Sequence, residues 1–187
     1  VNQDLAEVLG RAIQLAAIQG GGTNEPTGIL SAAGTGVVLG GANGLAPAWS
    51  HIVDLESAVS VANADIGTLG YLTNSKVRGK LKQVAKNGAA SAFIYGEGNL
   101  PLNGYQCGIT NAVPSNLVKG ASGAICSGII FGNFADLIMG MWGGLDLMVD
   151  PYSGGTAGTV RIIALQDVDV ALRHPESFAC MKDALTV

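Results

Sequence analysis

Charge is unusually scarce in this 187-residue sequence. Asp, Glu, Lys and Arg together make up 13% of it, where about 25% is usual. So little charge leaves little solvated surface. The sequence therefore reads as a subunit that hides surface against copies of itself, with a Gly/Ala-rich globular domain as the plainer alternative. The net charge of −4 argues against a dedicated binder of nucleic acid or anionic membranes. Aromatic residues are only 5%, which disfavours a carbohydrate- or nucleic-acid-binding module built on stacking. Three cysteines (Cys107, Cys126 and Cys180) and two histidines (His51 and His174) form no CxxC or Cys/His pairing. A disulfide framework and a zinc site are both disfavoured, and a reducing compartment is the simplest setting. The apolar segment from Ala121 to Leu145 is broken by Asn133, Asp136 and several glycines, so it makes a poor membrane span. The polar, helical start suggests no signal peptide, and a start at Val1 without Met suggests a processed or truncated product.

The remaining composition, 48% apolar with 28 glycines, is arranged in short elements. Asn2 to Ile18 has a helical stripe of Leu5, Val8, Leu9, Ala12 and Ala16, and Gly20-Gly21-Gly22 stops it. Pro47 introduces a second helix, about Ala48 to Ala64, with Trp49, Ile52, Val53, Val59 and Ala62 inward and His51 partly exposed. A strand over Gly67 to Thr73 precedes a third helix, capped by Asn74 or Ser75 and running to about Lys86. Extended segments follow at Ala92 to Tyr95 and Leu102 to Pro114, separated by a loop from Gly96 to Pro101. The last third reads as three strands: Gly128 to Asp136, Gly144 to Pro151 and Thr159 to Pro175.

A search for chemistry finds no convergent set. No Gly-Lys-Ser/Thr follows Gly20-Gly-Gly, and Leu39 stands where Gly34-x-Gly36 would need a third glycine for a dinucleotide loop. Ser122 lacks the Gly-x-Ser-x-Gly elbow of a hydrolase nucleophile. Cys107 reads as a small core residue. Asp54 and Glu56 point to different faces of a helix; Asp167 and Asp169 share one face of a strand, as solvated or inter-subunit acids. Lys76, Arg78, Lys80, Lys82 and Lys86 hold half of the ten basic residues. They read as a solvated helix face, with nucleic acid or an acidic neighbouring subunit as the other readings. No catalytic residue, cofactor or metal ligand is assigned.

The order of segments resembles the major capsid proteins of tailed phages, the family with the Hong Kong 97-type fold. The residues that carry the resemblance run along the whole chain. They are Gly20-Gly-Gly-Thr-Asn-Glu-Pro-Thr-Gly-Ile-Leu30 after a long helix, Gly70-Tyr-Leu-Thr-Asn-Ser-Lys76, and Leu102-Asn-Gly-Tyr105 with Val113-Pro114. Phe131-Gly-Asn-Phe134 and Val168-Asp-Val-Ala-Leu-Arg-His-Pro175 complete the set. The resemblance implies an α+β subunit of two domains. Residues 1–22 and 144–174 would form a discontinuous peripheral domain of long helix and long hairpin. Residues 23–143 and 175–187 would form an axial domain, a central sheet flanked by helices.

It further implies a structural subunit that self-assembles through pentamers and hexamers into an icosahedral phage or prophage shell. Such a shell encloses double-stranded DNA non-specifically, takes scaffold, portal or decoration proteins as partners, involves no membrane, and assembles in the bacterial cytoplasm before residing in the virion. Pro151, Tyr152, Ser153, Gly154 and Gly155 at the hairpin tip, with Asp167 and Asp169, are the candidate inter-subunit contacts. The family's N-terminal arm and extended loop have no counterpart before Asn2, so a truncated chain that does not close a shell alone is expected. No Asn lies in Ser153–Gly158, so no covalent cross-link is expected there. The alternatives are an encapsulin-type compartment shell and, from another class, a small hydrolase with an unrecognised site.

Overall fold

The structure, a computed structural model, describes residues 2–86, 92–96 and 101–186. Part of the expected loop between Gly96 and Pro101, residues 97–100, lies outside the described residues. Helix α1 (Asn2–Gln19) buries only its last turn, through Ala17 and Ile18. Val8 is exposed, although it sits on the apolar stripe, because the sheet reaches only the helix's C-terminal end. The chain then doubles back, and Ile29 and Leu30 donate their N–H groups to the carbonyls of Ala17 and Ile18 at 3.0 and 2.9 Å. Two glycines make that return feasible. A Cβ on Gly20 would come within 2.2 Å of the Pro26 carbonyl oxygen, and one on Gly28 within 2.6 Å of the Gly20 nitrogen.

After β1 (Gly36–Val38) comes α2 (Trp49–Val61), whose inner residues are His51, Ile52, Leu55 and Val59. His51 is buried, contrary to the partly exposed position expected. Its Nδ1 accepts the N–H of Ala48 at 3.1 Å and so ties off the helix start, where Ala48 has no side-chain cap to offer. Strand β2 (Leu69–Thr73) leads into α3 (Ser75–Leu81). Asn74 is the cap: its Oδ1 accepts the Val77 N–H at 2.9 Å, while its Nδ2 donates to the Pro114 carbonyl at 3.0 Å. One buried side chain thus starts a helix and holds the bend after β3 (Gln106–Ile109).

Strands β4 (Leu117–Val118) and β5 (Ala124–Asn133) follow, then a 3-10 turn over Phe134–Asp136 where the sequence had suggested continued strand. Next come β6 (Leu137–Asp150), β7 (Arg161–Leu172) and β8 (Phe178–Leu185). The main sheet has the order β1-β8-β5-β2-β3, with β4 also on β5. Pairs β1/β8 and β2/β3 are parallel; those of β5 with β2, β4 and β8 are antiparallel. One core lies under α2 and α3, around Tyr71, Ile129 and Phe131. The other gathers Ile18, Ile29, Leu30, Ile130 and Phe178 on the opposite face.

Strands β6 and β7 leave this body as a two-stranded ribbon, paired from Leu137↔Leu172 to Asp150↔Arg161. The ribbon begins at Leu137, earlier than the Gly144 start read from sequence. The run 137–142 pairs with 167–172, whereas Gly143 and Gly144 interrupt the pairing. At the tip, the Asp150 carboxylate accepts the N–H groups of Tyr152 and Ser153 at 2.9 and 3.2 Å and the Ser153 hydroxyl. Gly154 packs against Thr159, where a Cβ would come within 2.3 Å of the hydroxyl.

Two outcomes follow from these contacts. Asn74→Ala removes a cap and leaves a buried carbonyl without its donor, and should cost about 2 kcal/mol. Urea denaturation should show a lower midpoint at constant m; an unchanged midpoint would mean that the cap contributes nothing. The Asp150 carboxyl lies below its ordinary 3.8, chiefly through the Ser153 hydroxyl, then the two backbone N–H groups and the Arg161 charge. A lowered folded value means that the turn's contribution is complete above the ordinary value and is lost as pH falls through the lowered one. The amide shifts of Tyr152 and Ser153 should therefore titrate with a midpoint below 3.8, and Asp150→Ala should abolish the step. A midpoint at or above that value would contradict the turn.

Candidate assembly surfaces

In an antiparallel ribbon, directly paired residues share a face. The inner face carries Leu137/Leu172, Met139/Val170 and Leu147/Ala164, turned towards α1 and the sheet body. The outer face carries Ile138/Ala171, Gly140/Asp169, Trp142/Asp167, Asp146/Leu165 and Met148/Ile163. Asp167 and Asp169 are both exposed there, as their spacing requires, and the Asp169 carboxylate accepts the Val170 N–H at 2.8 Å. Trp142 is 56% exposed beside them, and Ile138, Met148 and Leu165 are each about half exposed or more. At the tip Pro151, Ser153 and Gly155 are exposed, Gly154 is half-buried, and Tyr152 is 90% exposed. Most large apolar side chains exposed among the described residues lie between Ile138 and Leu165.

The outer-face apolar residues were not singled out in the sequence. Residues 137–142 carry no period-two alternation that would mark a face, and the segment from Ala121 to Leu145 looks like one long apolar stretch.

The basic residues do not form the single helix face expected of them. Helix α3 ends at Leu81, because Gln83 and Val84 donate to the Lys80 carbonyl and the chain turns into a short bridge between Ala85 and Phe93. Lys76 and Arg78 are exposed on the helix and Lys80 is half-buried, while Lys82 caps the C-terminus. Lys86 lies beyond the helix. Aromatic groups meet two of these cations, although none is in the helix: the Lys82 Nζ is 5.7 Å from the Tyr95 ring centre, and that of Lys86 is 3.7 Å from Trp49.

The other titratable candidates hold the fold. Glu56 accepts hydrogen bonds from Asn103 Nδ2 and, at 2.9 Å, from the Tyr105 hydroxyl, which fastens the turn before β3 to α2. Its neighbour Asp54 is exposed. Asp183, buried near the end of β8, accepts the Gly40 N–H at 2.9 Å and that of Gly41 at 3.4 Å. That lone acid inside Phe178-Ala-Cys-Met-Lys-Asp-Ala-Leu185 was the signal for it, and it went unread. Burial pushes the Cys107 thiol up to about 11 and the Cys180 thiol up to about 12, so neither is a thiolate near neutral pH. The Ser122 hydroxyl accepts the Lys119 N–H and donates to the Gly123 carbonyl, as a turn residue does. Among the described residues, no group of three or more His, Cys, Asp or Glu side chains is placed to hold a metal. No helix among them is long and apolar enough to cross a membrane.

Residues 1–183 match the phage capsid family. The major capsid protein of Halomonas phage phiHAP-1 is 28% identical over 137 residues, which are 73% of this chain and 21% of that protein. Among solved structures, the capsid of a native GTA particle superposes with a TM-score of 0.70 at 24% identity, over 98% of this chain and 64% of its own. A chain of Mycobacterium phage Ogopogo gives 0.65 at 19% identity, over 98% and 68%. The SrpI encapsulin of Synechococcus elongatus gives 0.61 at 15%, over 99% and 65%. The chain thus spans about a fifth of the curated relative and roughly two thirds of the solved chains. The α+β fold is that of Hong Kong 97-like capsid proteins. With that fold and a match over nearly its whole length, the chain belongs to the phage capsid family.

Proposed function

We propose that the chain is part of a major capsid protein that builds an icosahedral phage or prophage shell by self-association. The observation that carries this reading is the outer face of the ribbon. Trp142, Ile138, Met148 and Leu165 stand exposed together, on a chain with little charge to solvate the remainder. Large apolar side chains exposed in this number are commonly covered by partners in soluble proteins, and each square ångström so buried contributes about 25 cal/mol before association costs.

In this reading residues 1–22 and 144–174 are the peripheral domain and the rest is the axial domain, which meets its copies in pentamers and hexamers. The tip from Pro151 to Gly155 and the acids Asp167 and Asp169 are inter-subunit contacts. The cations Lys76, Arg78, Lys80, Lys82 and Lys86 are solvated in this reading, with contacts to a neighbouring subunit or to packaged double-stranded DNA as the alternative. Scaffold, portal and decoration proteins are further partners, assembly takes place in the bacterial cytoplasm, and the virion is the final location. The role is structural, with no catalytic step and no cofactor. An encapsulin-type shell uses the same fold, and the family match and the phage relative favour the phage reading over it.

Electron microscopy of the full-length protein expressed alone should reveal capsomers or shells; a strict monomer at high concentration would sink the proposal. Replacing Asp167 and Asp169 together by Asn should leave stability within about 0.5 kcal/mol, as expected of exposed positions. The same change should alter the salt or pH dependence of assembly in light scattering. A large loss of stability would place the two acids in the fold instead.

A further inference from the structure

We propose that Asn43 is a self-modification site: in the folded chain its side-chain amide is lost to attack by the Gly44 nitrogen, leaving aspartate or isoaspartate at position 43. The sequence contains three Asn-Gly pairs, Asn43-Gly44, Asn87-Gly88 and Asn103-Gly104. Glycine after asparagine removes the side chain that otherwise hinders this ring closure. By that criterion the three are alike. Asn87 lies outside the described residues, and the other two stand in opposite surroundings.

Asn43 is exposed in the turn from Gly41 to Gly44 that follows β1. Its Oδ1 accepts the Ala121 N–H at 2.9 Å. Gly120, at φ +55°, allows that approach, since a Cβ there would come within 2.5 Å of the same oxygen. A donor on the amide oxygen draws electron density from Cγ and stabilises the oxyanion that forms on attack, as an oxyanion-hole N–H does. The attacking nitrogen is only loosely engaged: the Gly44 N–H reaches the Gly41 carbonyl at 3.4 Å, longer than an ordinary N–H···O bond. Asn103 is held the other way round. Its Nδ2 donates to the Glu56 carboxylate and, at 3.3 Å, to the buried Tyr71 hydroxyl, so the group that would have to leave is the one tied down.

The reaction needs only water as a co-reactant. A bond forms between the Gly44 nitrogen and Asn43 Cγ, the Cγ–Nδ2 bond breaks, and Nδ2 leaves as ammonia with the Gly44 proton. Water then opens the cyclic imide at either of its carbonyls, giving aspartate or isoaspartate. Aspartate keeps the Ala121 bond as a charge-assisted one, and its one added charge takes the net charge from −4 to −5. The use of that charge, a slow change in the contacts between copies, rests on the shell reading; the modification itself does not.

Peptide mass spectrometry of the full-length protein, aged at neutral pH in heavy-oxygen water, tests the proposal by following conversion at each pair. In the native protein Asn43 should convert faster than Asn103 by about tenfold or more, because two hydrogen bonds must break before Asn103 reacts. In guanidinium chloride, which erases both surroundings, the two rates should converge. Equal native rates, or a faster Asn103, overturn the proposal. A native Asn43 rate below its rate in denaturant also overturns it, because Ala121 would then restrain the amide instead of activating it. Asn43→Gln should stop conversion at position 43, since a six-membered ring closes far more slowly, and should leave Asn103 unchanged. Conversion that persists there at the original rate means direct hydrolysis by water and rejects attack by Gly44.

Discussion

Burial of β5 on both faces, from Cys126 to Asn133, is the constraint on which the other elements depend. A strand buried on both faces must offer apolar groups to two cores at once. Ile129 and Phe131 do so on the α2/α3 side and Ile130 on the other. Its edges are occupied by β8 on one side and by β2 and β4 on the other, so its backbone groups are also committed. The Phe131 ring lies 4.5 Å from that of Tyr71 and 5.2 Å from that of Tyr105, and Tyr71 in turn donates to the Ile52 carbonyl of α2 at 2.9 Å. Helix, sheet and the strand beyond are thereby tied to one side chain of β5.

The end of the same strand sets the direction of the ribbon. Asn133 accepts the Ala135 N–H at 3.2 Å and donates to the Asp136 carboxylate at 3.2 Å, which turns the chain out of the sheet. The Arg173 N–H then returns to the Asp136 carbonyl at 2.9 Å and closes the ribbon's base. The main sheet completes its two cores without the distal ribbon. The apolar residues of the ribbon are therefore surplus to this chain's own folding. In the proposed shell reading, a low charged fraction and an exposed apolar ribbon have the same physical origin: surface covered by a neighbour need not be solvated.

Local signals were legible where local physics decides. The glycines after α1 and the Asn74 cap mark boundaries because left-handed backbone, close approach and orphan N–H groups leave few residue choices. The apolar alternation of Arg161–Leu172 marks a strand for the same kind of reason. Elements whose form depends on distant partners were not legible. His51 was read as partly exposed; its bond to Ala48 is local, but its burial is set by the tertiary packing of α2. Lys82 and Lys86 looked helical until the chain turned to meet Phe93. Asp183 looked unremarkable until Gly40 and Gly41 aimed their N–H groups at it from far along the chain.

By itself the sequence determined the kind of molecule: α+β, poor in charge, without a recognisable catalytic constellation, and with an order of motifs resembling one capsid family. Those properties follow from composition and short-range pattern, which survive any rearrangement of the chain. Only the tertiary structure decided that β8 lies against β5, that the ribbon starts at Leu137, and that side chains on both of its faces meet solvent. Each of these depends on register between segments far apart in sequence. A register is chosen by the fit of two buried surfaces, and neither strand carries that information alone.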